Sequence, residues 1–470
     1  MSQRRRPLGF WHLCLYAVAL GFSIRWIPYA AAAGPASLPL WLLALIGFLV
    51  PLAAATAELV GRFPGEGGLY GWAREMLGPF AGFIAGWLYW TCNLPFFSGL
   101  LYFILTSLAA AFGPAATRAV ADPWVLAALA SGMAVLVGLL HLAGLGTGKW
   151  LTSFGSIAVG LLTVTLLALG LTLALRSGPA TDFAHVSYAP PLDANGAALW
   201  AIMVFAYGGP EALAFLRGDV DGGVRQILRV LAVVGAAVFI AYTAASLAMM
   251  AILRPVEASR LAGLPEAFAG GFARLGQPGL AFLPSLLLGV AMLGSYSAWF
   301  GVAARLPFAI GVDRYFPPEF ARRNPRTGAP TIAIVVQAAA VVALVVLGQA
   351  GTSVKAAYDF LVSMSVISYT LPFVFLFLSY FRVRGAAEAG VWTAPGGDRG
   401  RRVLALVGLA VTVSAIACTL VPSPDATDKA WAVAKLVIAS VVLIAIGALI
   451  YARAVNKAQG RSAYAPPGPT

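Results

Sequence analysis

Residues Ala197 to Val220 read AALWAIMVFAYGGPEALAFLRGDV, and the fold turns on the middle of that stretch. Its flanks are apolar enough for a membrane helix, yet Tyr207-Gly208-Gly209-Pro210-Glu211 interrupts them. Two glycines loosen the backbone, and the proline removes a donor and crowds the preceding turn. Irregular backbone at membrane depth is tolerated where protein buries it or a cavity hydrates it. An ionisable group there marks a candidate functional site. The plainer alternative is a proline-kinked helix whose Glu211 merely pairs with a neighbour.

The surrounding chain fits a membrane setting. Over 470 residues it is 60% hydrophobic and only 10% charged, with mean hydropathy +0.86. A soluble domain carries about a quarter charged residues. Apolar runs of about 20 residues, enough to cross a bilayer, recur throughout and predict one polytopic domain. The net charge of +13 reads as a membrane-orientation signal rather than a nucleic-acid footprint. Cys14, Cys92 and Cys418 have no metal or disulfide spacing, and three scattered histidines form no ligand cluster. No metal or cofactor is expected.

Twelve spans are predicted, after a cytoplasmic tail at 1–8. The first covers about 9–33, is broken near Gly21-Phe22-Ser23-Ile24-Arg25, and has Pro28 just beyond. It is too long for a signal-peptide core, and Arg25 interrupts it. The second, about 38–60, ends at Glu58. The third, about 78–112, carries Gly78, Gly82 and Gly86 as a flat packing face and Tyr89 and Asn93 on a shared face. The sixth is the opening stretch, and the eighth, about 280–311, holds Ser295, Ser297 and Arg305. The twelfth covers about 430–452, and the tail 456–470 reads as disordered. Twelve spans put both termini on one side, which then carries 21 Lys and Arg against 7 opposite. That bias places both termini in the cytoplasm.

The interrupted helices are the first and the sixth. If each opens a five-helix half, they occupy matching places in an inverted repeat. Within a transmembrane domain at 9–455, repeat one is then about 9–175, repeat two about 196–381, and two extra helices fill about 402–452. Half-helix ends expose N–H groups on one side and carbonyls on the other, so a pair of breaks can hold an anion and an amine.

Gly21-Phe22-Ser23-Ile24 with Pro28 and Gly34-Pro35, then Glu58, Phe63-Pro64, Gly67-Gly68-Leu69-Tyr70 and Gly86-Trp87 resemble the first half of the amino acid–polyamine–organocation superfamily. Phe205 to Glu211, and Ala304-Arg305 followed by Asp313-Arg314-Tyr315-Phe316-Pro317, resemble its sixth and eighth helices. The resemblance implies an all-α fold of the sodium-coupled leucine transporter type, with two added C-terminal helices. It also implies amino acid transport, with the substrate carboxylate at the first break and its amine at the sixth. The chain departs from the family's Gly-Ser-Gly at Gly21-Phe22-Ser23, has Arg25 where an apolar residue is usual, and lacks a fifth-helix lysine around Phe154-Gly155-Ser156.

The leading function is a symporter or exchanger for amino acids or related amines in the bacterial inner membrane, coupled to protons ahead of sodium. The rival within transport is another organic cation or anion. A membrane enzyme built on Asp182 and His185, or a non-transporting sensor, stands further off. The expected substrate-binding set is Gly21, Phe22, Ser23, Ile24, Arg25, Tyr89, Asn93, Phe205, Tyr207, Gly208, Gly209, Glu211 and Ser295. Tyr89 and Asn93 also read as a packing pair. Glu58 and Arg305 are expected to form a gate or strut rather than touch substrate. Arg25 and Glu211, two charges past two breaks, are expected to pair, because isolated charges at that depth are unfavourable.

Overall fold

The computed structural model describes residues 10–63, 68–143, 146–209, 211–214, 223–304, 315–322, 324–325, 327–349, 353–385, 391–421 and 428–463. Among them every regular element is helical. Eleven helical segments are long and apolar enough to cross a membrane. The first predicted span is not one of these, because it is divided into α1 (Phe10–Gly21), a single turn at Ile24–Trp26 and α2 (Ile27–Ala32). The chain is thus an all-α polytopic membrane protein.

Prolines explain two places where a continuous helix was expected. The second span is α3 (Ser37–Ala44), a π-helical turn at Leu45–Leu49 and α4 (Val50–Arg62), with Pro51 withholding a donor at the junction. After α5 (Gly68–Leu77), the third span is cut at Cys92 into α6 (Pro79–Thr91) and α7 (Asn93–Ala111). The Pro95 ring lies where it crowds the carbonyl four residues back, at Thr91. Gly82 serves the packing expected of its row: a Cβ there would run into the Arg74 backbone of α5.

Next come α8 (Pro114–Val120), α9 (Pro123–Ala143), α10 (Gly146–Ser177), α11 (Ala194–Ala206) and α12 (Gly223–Ile252). The long loop after α12 contains the short helix α13 (Gly263–Arg274), with Leu264 and Phe268 buried beneath it. Then follow α14 (Phe282–Ala303), α15 (Thr331–Gln349), α16 (Val354–Arg382), α17 (Gly397–Thr419) and α18 (Lys429–Ala463). The last helix runs on through Ala463, so residues 456–463 of the expected tail are helical, and 464–470 lie outside the described residues. Alanine, lysine, glutamine and arginine dominate that extension and are strong helix formers.

The helices are unequally enclosed. Of the apolar stretch of each span, 82% is buried around α11, and 72% on both the α6–α7 span and α16. Only 28% is buried on α15 and on α17, and 17% on α18. The centre of the molecule is therefore built from the broken sixth span, α6–α7 and α16.

Candidate functional site

Helix α1 ends because Ser23 turns extended, at φ −135° and ψ 114°. The freed Ser23 N–H donates to the Tyr242 hydroxyl of α12 at 3.1 Å. That hydroxyl donates in turn to the Ala206 carbonyl at 3.2 Å, the last residue of α11. One tyrosine thus serves an orphan donor at the first break and an orphan acceptor at the sixth. Trp41 stacks flat on it, centroids 4.3 Å apart, and fixes its ring.

At the sixth break Gly209 adopts φ +119°, and a Cβ there would strike the Leu20 carbonyl. The two breaks therefore touch backbone to backbone, which requires glycine. Beyond it residues 211–214 are helical. Glu211, only 2% exposed, folds back so that Oε2 accepts the Gly209 N–H at 2.9 Å. Its Oε1 accepts the hydroxyls of Tyr89 at 2.9 Å and Tyr369 at 2.5 Å. Two phenols and a main-chain N–H hold the carboxylate, and no arginine or lysine pairs with it among the described residues. Such a group can accept a proton or a cationic amine.

Between the breaks lies a cavity of about 60 Å³, enough for several waters at roughly 10–15 Å³ each. Gly21, Phe22 and Ser23 form one wall, and Phe205, Ala206 and Gly208 another. Trp26, Phe96, Trp299, Tyr242 and Tyr369 make it aromatic, while Asn93 and Ser295 are polar residues of its lining.

Of the expected substrate-binding residues, seven line this space: Gly21, Phe22, Ser23, Asn93, Phe205, Gly208 and Ser295. Tyr89, Gly209 and Glu211 adjoin it through Tyr369 and the touching breaks. Ile24 is buried in the turn behind. Tyr207 faces away, its hydroxyl on the Trp41 carbonyl at 3.2 Å. Asn93 donates its amide to the Tyr89 and Trp90 carbonyls, so part of the packing-pair alternative also holds. Tyr242 and Tyr369 were not anticipated. Each stands in an apolar helix without a local motif, and only the fold brings it to the site.

One pairing needs correction. Arg25 does not meet Glu211: its guanidinium lies over the rings of Trp26 and Phe96, at 4.2 and 4.9 Å. Phenols had already taken the carboxylate. Glu58 is buried and pairs with Arg62 and Arg401, at 2.9 and 2.7 Å. Arg305, and with it Asp313-Arg314, Pro210 and the Pro64–Gly67 loop, lie outside the described residues. Asp182 and His185 do pair, at 2.7 Å, on an exposed loop away from the cavity.

The profile of a family described as amino acid permease matches residues 8–466. An uncharacterized transporter of Legionella pneumophila is 23% identical over 426 residues, covering 90% of this chain and 91% of that protein. A probable agmatine/putrescine antiporter of Lactococcus lactis is 21% identical, with 96% of each chain covered. An Escherichia coli protein provisionally assigned as an arginine/ornithine antiporter is 25% identical over 76% of this chain and 78% of its own. These proteins are transporters, not enzymes.

Proposed function

The chain belongs to the amino acid permease family, and from that membership we propose a secondary active transporter that exchanges amino acids or related amines by alternating access. Substrate sits between the two broken spans, its amine directed to the Glu211 end. The observation that carries this reading is the buried Glu211 carboxylate, held by Tyr89, Tyr369 and Gly209 beside an aromatic cavity. Exchange is favoured over symport because two of the relatives above are named as antiporters. Glu211 also serves as the proton acceptor when a proton gradient contributes. The protein is placed in the bacterial inner membrane, both termini cytoplasmic, on the 21-to-7 bias of Lys and Arg. The twelve spans form five-plus-five repeats and an added pair.

The test is counterflow in proteoliposomes. Vesicles loaded with one unlabelled amino acid or amine should take up the labelled partner, and unloaded vesicles should not. Uptake independent of internal substrate but driven by an imposed proton gradient would replace exchange with symport. No uptake of any member of the panel under either gradient would remove the reading. Replacing His185 should leave uptake unchanged, which separates transport from the exposed Asp182–His185 pair.

A further inference from the structure

Arg25 is 1% exposed, and among the described residues its Nε, Nη1 and Nη2 all lack a hydrogen-bond partner. Among the described residues no carboxylate pairs with it: Glu211 is held by phenols, Glu58 by Arg62 and Arg401, and Asp359 lies 3.7 Å from Arg260. The phenols of Tyr29, Tyr242 and Tyr358 act on it electrostatically. Ring faces attract the cation, at 4.2 Å on Trp26 and 4.9 Å on Phe96, but they satisfy none of its five N–H donors. A buried charge is ordinarily paired, and a guanidinium keeps its proton, so this one is incomplete without an anion. The two rings that carry it are themselves walls of the cavity between the breaks.

We propose that Arg25 is an anion subsite contiguous with that cavity, and that it recognises a carboxylate on the transported molecule. The proposal rests on the transport reading above and narrows its substrate class. Glu211 presents one negative charge and Arg25 one positive charge. A molecule bearing both an amine and a carboxylate complements the two, and the planar fork of arginine suits a carboxylate through two parallel bonds. A diamine, or a guanidine without a carboxylate, leaves Arg25 unpaired and adds a like charge beside it. The substrates are therefore amino acids proper, and their decarboxylated counterparts are rejected.

Matched pairs differing by one carboxylate test this on the purified full-length protein. Arginine and agmatine, ornithine and putrescine, and phenylalanine and phenethylamine would be titrated while following tryptophan fluorescence, since Trp26 and Trp299 line the cavity. In the pair that binds, the carboxylate-bearing member should bind about tenfold tighter or more. Arg25→Gln should erase that preference, and Arg25→Lys should keep part of it. Equal binding of both members by the wild-type protein, or an undiminished preference in Arg25→Gln, overturns the proposal. So does a chloride-dependent signal that needs Arg25 but comes with no carboxylate preference. If Arg25→Gln does not fold, the wild-type pairs and Arg25→Lys decide the matter. If no member of any pair binds, the proposal fails. Exchange of other solutes by the same preparation would then show that the transport reading survives it.

Discussion

Tyr369 donates its hydroxyl to Glu211 Oε1 across 2.5 Å, and Tyr89 reaches the same oxygen at 2.9 Å from α6. The carboxylate is thus pinned between α6, α16 and the sixth break. The Tyr369 ring also packs on Gly208, where an added Cβ would collide with it. One side chain therefore supports both the charge of the site and the shape of the break. Hydrogen bonds to a charged acceptor are the stronger kind, and here they replace an ion pair.

Tyr369→Phe is expected to lower exchange severely while Phe still fills the space. The lost bond is to a charged group, about 1.5–3 kcal/mol, or roughly a ten- to hundredfold change in transport efficiency. Tyr89→Phe should act in the same direction. Initial rates of counterflow, normalised to folded protein, read the effect. Wild-type rates in both variants would show that the Glu211 carboxylate has no part in transport.

Gly209→Ala is expected to be worse than its single methyl suggests. The residue sits at φ +119°, where a side chain costs about 1–3 kcal/mol, and the methyl would meet the Leu20 carbonyl. Thermal stability in detergent and exchange should both fall. Gly132→Ala, an exposed helical position in α9 with nothing within 4 Å of the new atom, is the control and should be neutral or slightly stabilising. Equal behaviour of the two variants would mean that the breaks do not touch.

The breaks were legible because glycine and proline inside an apolar run are a local signal, and so was the membrane class. Their stitching was not. Tyr242 and Tyr369 sit in apolar helices that give a tyrosine no distinguishing context, and their partners lie far along the chain, at Ala206 and Glu211. Charge logic misled at Arg25: opposite charges were matched across the breaks, whereas phenols reached Glu211 first and aromatic rings took the guanidinium. Arg401 was overlooked because it belongs to a run of basic residues that reads as loop charge, yet it is 2% exposed.

Orientation is open to direct labelling in a background lacking Cys14, Cys92 and Cys418. A cysteine at the exposed position His185 should react with an impermeant reagent from outside intact cells. One at exposed Arg384, in the loop between α16 and α17, should react only after permeabilisation. The opposite pattern would invert the topology inferred from the Lys and Arg bias.

Glu58 and Arg401 should behave as a strut rather than a gate. Glu58 is fully buried and accepts from Arg62, Arg401, the Tyr380 hydroxyl at 3.0 Å and the Ala394 N–H at 3.1 Å. Arg401 also donates to Asp398 at 2.5 Å and to the Val383 carbonyl at 3.1 Å. The cluster ties α4 to α16 and to the start of α17. Removing one partner of a buried pair costs about 3–5 kcal/mol, because the remaining charge is left uncompensated. Arg401→Met should fall at or below the lower end of that range, since Arg62 stays within 2.9 Å of the carboxylate. Glu58→Gln paired with Arg401→Met should recover part of the loss, because neither charge is then stranded. Thermal unfolding in detergent gives the stability change, and counterflow per folded molecule gives the transport. A strut loses stability and keeps its turnover. Variants with wild-type stability and abolished exchange would make the cluster a gate instead.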